Sequence, residues 1–546
     1  MTRILIAGAV VWATASLGQI AGAQQRPAAP ASETGGVIHP QTAFATSHEC
    51  IACHNGLTTP AGEDVSIGAS WRGSMMANSS RDPYWRASVR RETIDHPLAA
   101  AEIENECSIC HMPLSNAQAR ASGGRGEVFR VLADPTAPEA ALAADGVSCA
   151  LCHQIGPERL GTRASFNGGF ALGREGTPRM AGPFAVDAGR TAIMRSATGA
   201  TPLEAPHIRE SEVCATCHTL FTRALGPQGQ VVGELPEQVP YLEWRHSAFP
   251  GEQRSCQTCH MPAVDVPTPI SSVLGEPRPG LARHTFLGGN FFMLRMLNRY
   301  RVALGVEATP GELEAGAAAT LRQLDTNTAT VAIQDAAVAG GELVLAVQVA
   351  NLTGHKLPTG YPSRRAWLHV TVRDGQGRAV FESGAVSATG AIAGNDNDAD
   401  ATRFEPHHTE IREADAVQIY ESVMGDVGGR VTTGLLQATQ FVKDNRLLPR
   451  GFDPRTAGPE IAVRGGAATD PDFAASGDRI RYVIDLRGAP GPFAIEVVLR
   501  YQPIAFRWAR NLSGYDAPEP RRFVSYFDSM AASSSAVLAR AAARVN

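Results

Sequence analysis

Alternation of apolar and polar positions is confined to the second half of the chain. Leu343, Leu345, Val347 and Val349 fall on one face, and Leu368, Val370 and Val372 do the same ahead of the turn Asp374-Gly375-Gln376-Gly377. This is the period-2 signature of half-buried strands. Ile480 to Leu486 and Phe493 to Tyr501 read as two more, joined by Gly488-Ala-Pro-Gly-Pro. Together they predict a β-sandwich-like domain over 330–510, with a loop-rich insertion at 385–475. Thr309-Pro310-Gly311-Glu312 is a capping box with proline at the first helical position, and it opens a linker helix within 301–329. Phe523, Tyr526 and Phe527 share one face of a C-terminal helix expected from about Arg521 to Arg544, within 511–546. The region 45–300 lacks such regularity. Short helical stretches, such as Arg81 to Glu92 with Trp85, Val89 and Glu92 in phase, alternate there with glycine-rich loops. Gly168 to Gly199 reads as one long surface loop. The fold class predicted is α+β: a loop-rich, partly helical domain, a β-sandwich-like domain and a C-terminal helix.

Composition changes this picture at the N-terminus. Arg3, the apolar run Ile4 to Leu17 and Ala21-Gly22-Ala23 before Gln24 form an export signal over 1–23, followed by a flexible leader over 24–44. No later stretch approaches twenty apolar residues, so no transmembrane segment is expected after cleavage. The expected location is periplasmic or extracellular. The formal charge of −5 carries no basic excess that nucleic acid would require.

All ten cysteines fall in Cys-x-x-Cys-His pentads: Cys50/Cys53/His54, Cys107/Cys110/His111, Cys149/Cys152/His153, Cys214/Cys217/His218 and Cys256/Cys259/His260. Two thiols a turn apart can form thioethers to the two vinyl groups of one porphyrin, and the adjacent imidazole ligates the iron. A zinc ribbon or a dithiol redox pair also uses Cys-x-x-Cys, but neither requires a histidine after every second cysteine. Five covalently attached haem c groups are expected, which makes 45–300 a pentahaem domain.

Function then turns on the sixth position of each iron. A second histidine there leaves electron transfer; an open position admits a substrate. Six further histidines lie near the pentads: His39, His48, His96, His207, His246 and His284. His48 is too close to Cys50 to reach its own iron and would serve a neighbour. Met75 and Met76 are more readily packing residues than ligands. Asn395-Asp-Asn-Asp-Ala-Asp400 alternates carboxylates as a Ca2+ loop does. It lacks the following glycine and distant glutamate, so an acidic solvated loop is the plainer reading. Glu405-Pro-His407-His408 reads as an exposed histidine pair.

Trp71-Arg-Gly-Ser-Met-Met-Ala-Asn, Arg81-Asp-Pro-Tyr-Trp, Asp145-Gly-Val-Ser-Cys149 and Glu243-Trp-Arg-His-Ser resemble the multihaem c-type cytochromes. The group concerned includes the tetrahaem cytochrome of ammonia oxidisers and the haem modules of hydroxylamine oxidoreductase. The resemblance spans roughly 45 to 290 and implies bis-histidine haems in near-contact pairs, with a distal ligand from His284 in its His-x-Phe context. Asn351-Leu-Thr-Gly-His355-Lys-Leu-Pro resembles β-domains appended to such cytochromes, which suggests that His355 turns back toward a haem. No Cys-x-x-Cys-Lys occurs, so the lysine-ligated site of pentahaem nitrite reductases is absent from the sequence. The leading expectation is an electron relay between redox proteins through bis-His haems. The alternatives are an oxidoreductase with one open haem acting on a small nitrogen or sulfur compound, and a haem-wire module assembling as a homo-oligomer through its C-terminal domain.

Overall fold

Among the described helices of the first half, Pro83–Asp95 and Ala188–Thr198 start at a side-chain cap. Asp82 accepts from the backbone N–H of Tyr84 at 2.8 Å and of Trp85 at 3.2 Å, and Pro83 opens the helix Pro83–Asp95. That helix packs beside Ala100–His111, whose last turn is the second pentad. The computed structural model describes residues 44–173, 177–475 and 477–546; the expected signal peptide, nearly all of the leader, and His39 lie outside them. Among the described residues no helix is long and apolar enough to cross a membrane.

The pentad-bearing half has little sheet. β1 (Arg179–Gly182) pairs in parallel with β2 (Thr201–Glu204), and β3 (Leu220–Leu225) forms an antiparallel hairpin with β4 (Val231–Gln238). The segment expected as one surface loop over 168–199 therefore contains β1 and a helix, Ala188–Thr198, capped by Asp187 and stopped by Gly199 at φ +70°. Its apolar residues are too sparse to announce either element. Around the pentads the apolar side chains gather in small separate clusters, for example Leu57, Val65, Val264 and Leu281.

The main core is built mostly from the helix Phe291–Arg299 and the second half, with Tyr84, Phe166, Phe221, Leu235 and Tyr241 of the first half packed into it. The capping box closes as expected at Thr309 and Glu312 and starts the helix Pro310–Asn327. Ten strands follow: β5 (Ala329–Ala339), β6 (Glu342–Asn351), β7 (Arg365–Arg373), β8 (Ala379–Ser383), β9 (Glu410–Ile411), β10 (Ile419–Asp426), β11 (Ala438–Asp444), β12 (Asp478–Asp485), β13 (Phe493–Gln502) and β14 (Ala536–Val545). One sheet has the order β5-β6-β12-β9; the other runs β11-β10-β7-β13-β14 with β8 on β7. Leu345 and Val347 of the first share a core with Val370, Ile495 and Val497 of the second. The class is α+β.

Two expectations are corrected. The insertion over 385–475 supplies β9, β10 and β11 rather than loops alone. Seven of the eight residues of β10 are buried, so the strand shows no alternation to read. The C-terminal helix ends at Asp528, and the alanine-rich run after it is the edge strand β14, paired residue by residue with β13. Alanine favours helix locally, but the ladder to β13 and the full burial of Leu538 override that preference.

Candidate haem-binding site

Each pentad is folded as one helical turn, with the histidine N–H donating to the carbonyl of the first cysteine in three of them: His54 to Cys50 (3.0 Å), His153 to Cys149 (3.1 Å) and His218 to Cys214 (2.9 Å). Cys107–His111 and Cys256–His260 lie within helices. This brings both sulfurs and the imidazole to one side of the turn. The ten cysteines form no disulfide and are all half-buried.

The imidazoles are oriented from behind. Nδ1 of His54 lies 2.6 Å from the carbonyl of Ile270, that of His111 3.3 Å from Ser79, that of His153 2.5 Å from Ala181, and that of His260 against Leu287. A carbonyl at Nδ1 holds the proton there and leaves Nε2 with the free lone pair that a metal takes. Burial lowers the pKa of His153 and His260, and takes His111 and His218 to about 4, so these rings stay neutral.

Two pentad imidazoles face a second one. His284 lies opposite His153, with ring centroids 6.4 Å apart and planes 17° from parallel. His355 lies opposite His260 at 6.2 Å and 20°. A nitrogen about 2 Å from a metal puts its ring centroid about 3 Å away, so two imidazoles sharing one iron should be separated by about 6 Å. Both outer rings also direct Nδ1 at a carbonyl, His284 at Ala282 (2.9 Å) and His355 at Lys356 (2.8 Å). Burial holds each at a pKa of about 4. The donor set, spacing and tautomers fit an iron between each pair.

The other expected distal histidines are placed differently. Nε2 of His48 lies 3.0 Å from Glu307, that of His207 2.8 Å from the carbonyl of Ile155, and that of His246 3.0 Å from that of Asp453. His246 lines a cleft of about 1110 Å3 bounded by Phe221, Arg245 and Phe441, which no pentad residue reaches. His96 caps the helix Pro83–Asp95, and its buried Nε2 has no hydrogen-bond partner. Met75 and Met76 pack against two apolar clusters.

The pentads themselves touch. The sulfurs of Cys50 and Cys149 lie beside each other, as do those of Cys110 and Cys217, and of Cys214 and Cys256. Cys152 lies within electrostatic reach of Cys214 and Cys217. Three of the cysteines expected to attach haem, Cys53, Cys107 and Cys259, take no part in these contacts between pentads. Cys259 Sγ instead accepts from Arg254 Nη2 at 3.7 Å, so a guanidinium within its own turn meets the sulfur. Cys53 is held through its backbone: its carbonyl accepts from Ser272 N at 2.8 Å and Ser272 Oγ at 3.0 Å.

A repeated contact joins two of the thiol pairs. Ser47 Oγ accepts from Cys149 N (3.2 Å), and Ser211 Oγ accepts from Cys256 N (3.0 Å). Each serine stands three residues before the first cysteine of its own pentad, and Ser148 and Ser255 immediately precede the partner cysteines. The matching pattern Ser-x-x-Cys with Ser-Cys was available in the sequence as a signal of pairing.

The remaining ligand candidates are engaged by the protein. Asp398 is buried and holds Arg365 through two bonds of 2.8 and 2.9 Å, Asp396 holds Arg403 (2.5 Å), and Asp400 accepts from Thr402. These carboxylates thus serve arginines and a threonine of the same region. His407 is buried rather than exposed; its ring and the carboxylates of Asp470 and Asp478 approach within 4.8 Å. Its Nδ1 accepts from the amides of Gln418 (3.0 Å) and Asn445 (3.1 Å), so the ring proton sits on Nε2, toward Asp470 at 2.9 Å. That tautomer offers no lone pair to a metal.

No known family profile matches the chain, and no curated protein matches it. Among solved structures, the crystal structure of a penta-heme cytochrome c552 from Thermochromatium tepidum is similar with a TM-score of 0.49 and 16% identity, covering 92% of this chain and 99% of that chain.

Proposed function

We propose that the chain is an exported c-type cytochrome that holds five haem c groups and relays electrons between redox proteins. The observation that carries this reading is the pair of facing imidazoles, His153 with His284 and His260 with His355, each at the spacing of two ligands on one iron. The ten pentad cysteines would hold the porphyrins, and His54, His111, His153, His218 and His260 would be the proximal ligands. Haem c supplies reversible one-electron chemistry when bound. The chain's residues fix the rest: backbone carbonyls keep Nε2 of His54, His111, His153 and His260 aimed, burial keeps His111, His153, His218 and His260 neutral, and the cysteine contacts string the pentads into a connected path. That path runs from the first pentad to the third and on to the fourth, from which the second and fifth branch.

The engagement of His48, His207 and His246 with Glu307, Ile155 and Asp453 favours a second reading, in which an iron at the first, second or fourth pentad stays open to a small nitrogen or sulfur compound. Haem quantification combined with electron paramagnetic resonance separates the two. Five haems per chain, all low-spin, are expected for the relay. A high-spin ferric signal that shifts with nitrite or cyanide would replace it with the enzyme, and an unloaded chain would sink both.

A further inference from the structure

We infer that Glu243 is a positioning residue for the sixth ligand at the fifth pentad: from the pentad-bearing half it clamps the sandwich loop that carries His355. The inference rests on the proposed pairing of His355 with His260. Glu243 lies on the helix Pro240–Arg245 and is fully buried. Its Oε2 accepts from the backbone N–H of Lys356, the peptide next to His355, at 3.1 Å, and from Thr359 Oγ1 at 2.5 Å. Its Oε1 lies 2.9 Å from Arg446 Nη1.

Arg446 in turn holds Asp444 through bonds of 2.8 and 2.7 Å, and Lys356 Nζ donates to the same carboxylate at 2.8 Å. Two carboxylates and two cations thus balance in the interior. Such a network is stable only when complete, because removing one member leaves a buried charge without its partner. A loop displacement that withdrew Lys356 would break it, so His355 is held in one place.

The loop is fixed from its other side as well. The carbonyl of His355 accepts from Asn351 Nδ2 at 2.7 Å and from Thr353 Oγ1 at 2.8 Å. Gly354 rests so closely on first-half aromatics that a Cβ there would stand 3.0 Å from Phe249 and 3.3 Å from Trp244. A clamp serving stability alone could bond anywhere along the interface. Here both Oε2 bonds fall on residues 356 and 359, within four positions of the imidazole that faces His260.

The test uses the haem-loaded full chain and counts high-spin ferric haem and cyanide bound per protein. His355→Ala should add one high-spin haem and one cyanide equivalent to the parent's count, with imidazole restoring the low-spin signal. Glu243→Gln should do the same in part although His355 is still present. Thr359→Val, a milder change, should speed cyanide entry at that haem about tenfold, the order of effect of losing a hydrogen bond to a charged group. If His355→Ala leaves the spin count unchanged, the ligand reading fails and this inference with it. If His355→Ala opens one haem while Glu243→Gln and Thr359→Val stay closed with the parent's cyanide rate, Glu243 is not the positioning residue and the ligand reading stands. Should Glu243→Gln fail to load haem, Thr359→Val decides alone.

Discussion

Asp478 shows what burial does to a single carboxyl in this protein. Its Oδ2 accepts from Tyr420 at 2.7 Å and Gln418 at 2.9 Å, while its Oδ1 has no hydrogen-bond partner and lies 3.9 Å from His407 Nε2. Burial pushes its pKa up to about 7. The folded state therefore keeps a proton that the unfolded chain releases near pH 4, and stability falls as pH rises from about 4 to about 7, by at most about 1.4 kcal/mol per unit. Asp478→Asn should flatten that slope and raise stability at pH 8 relative to the parent. Denaturant unfolding at several pH values checks this, and parallel curves for the two proteins would refute it. The same scale explains what the sequence revealed of the site. The proposed proximal ligands and thioether cysteines are written into five consecutive residues, because the covalent chemistry they would serve needs them adjacent. The proposed distal ligands are not: His284 and His355 come to face His153 and His260 only through the fold, whereas His207 and His246, nearer to pentads in sequence, point elsewhere.

Among elements, the short pentad helices gain order from each other rather than from length. A helix of four or five residues is marginal alone, and Ser47 and Ser211 supply an acceptor to the first N–H of a partner turn. Losing such a cap costs about 1 kcal/mol. Ser47 does more than Ser211, because its Oγ also donates to the buried Asp145 at 2.9 Å. Ser211→Ala should lower the melting temperature modestly and Ser47→Ala by more; equal losses would show that the Asp145 contact contributes nothing. The strands divide by a related logic. β6, β12 and β13 were legible because one face is more buried than the other, leaving alternation in the sequence; β7 is buried on both faces and was legible only because His369 and Thr371 alternate with Leu368, Val370 and Val372. β10 hides both faces and β14 is built largely of alanine, so neither carries a period-2 signal, and pairing makes them strands, β10 with β7 and β11 and β14 with β13.

Across the whole molecule, the two halves seen in the sequence are joined by contacts that no local pattern foretells. Glu243 meets Lys356 and Arg446, Arg90 meets Glu519 at 2.8 Å, and Arg81 meets Glu307 at 3.0 Å, each pair far apart along the chain. The pentads show the same long-range logic. Thiol contacts join the first to the third and the second to the fourth, and the fourth also adjoins the third and fifth. The fourth pentad is therefore the junction of three branches, although in sequence it is only the fourth of five. Removing a terminal branch should leave the others in contact, whereas removing the junction should isolate them. Replacing Cys214 and Cys217 by serine is expected to split electron redistribution, followed after rapid partial reduction, into a fast phase within the first and third haems and a much slower one between branches. Replacing Cys107 and Cys110 should preserve a single fast phase among the remaining haems. If loss of the fourth haem left redistribution as fast as loss of the second, electrons would be crossing between branches directly, and the path drawn from the cysteine contacts would be wrong.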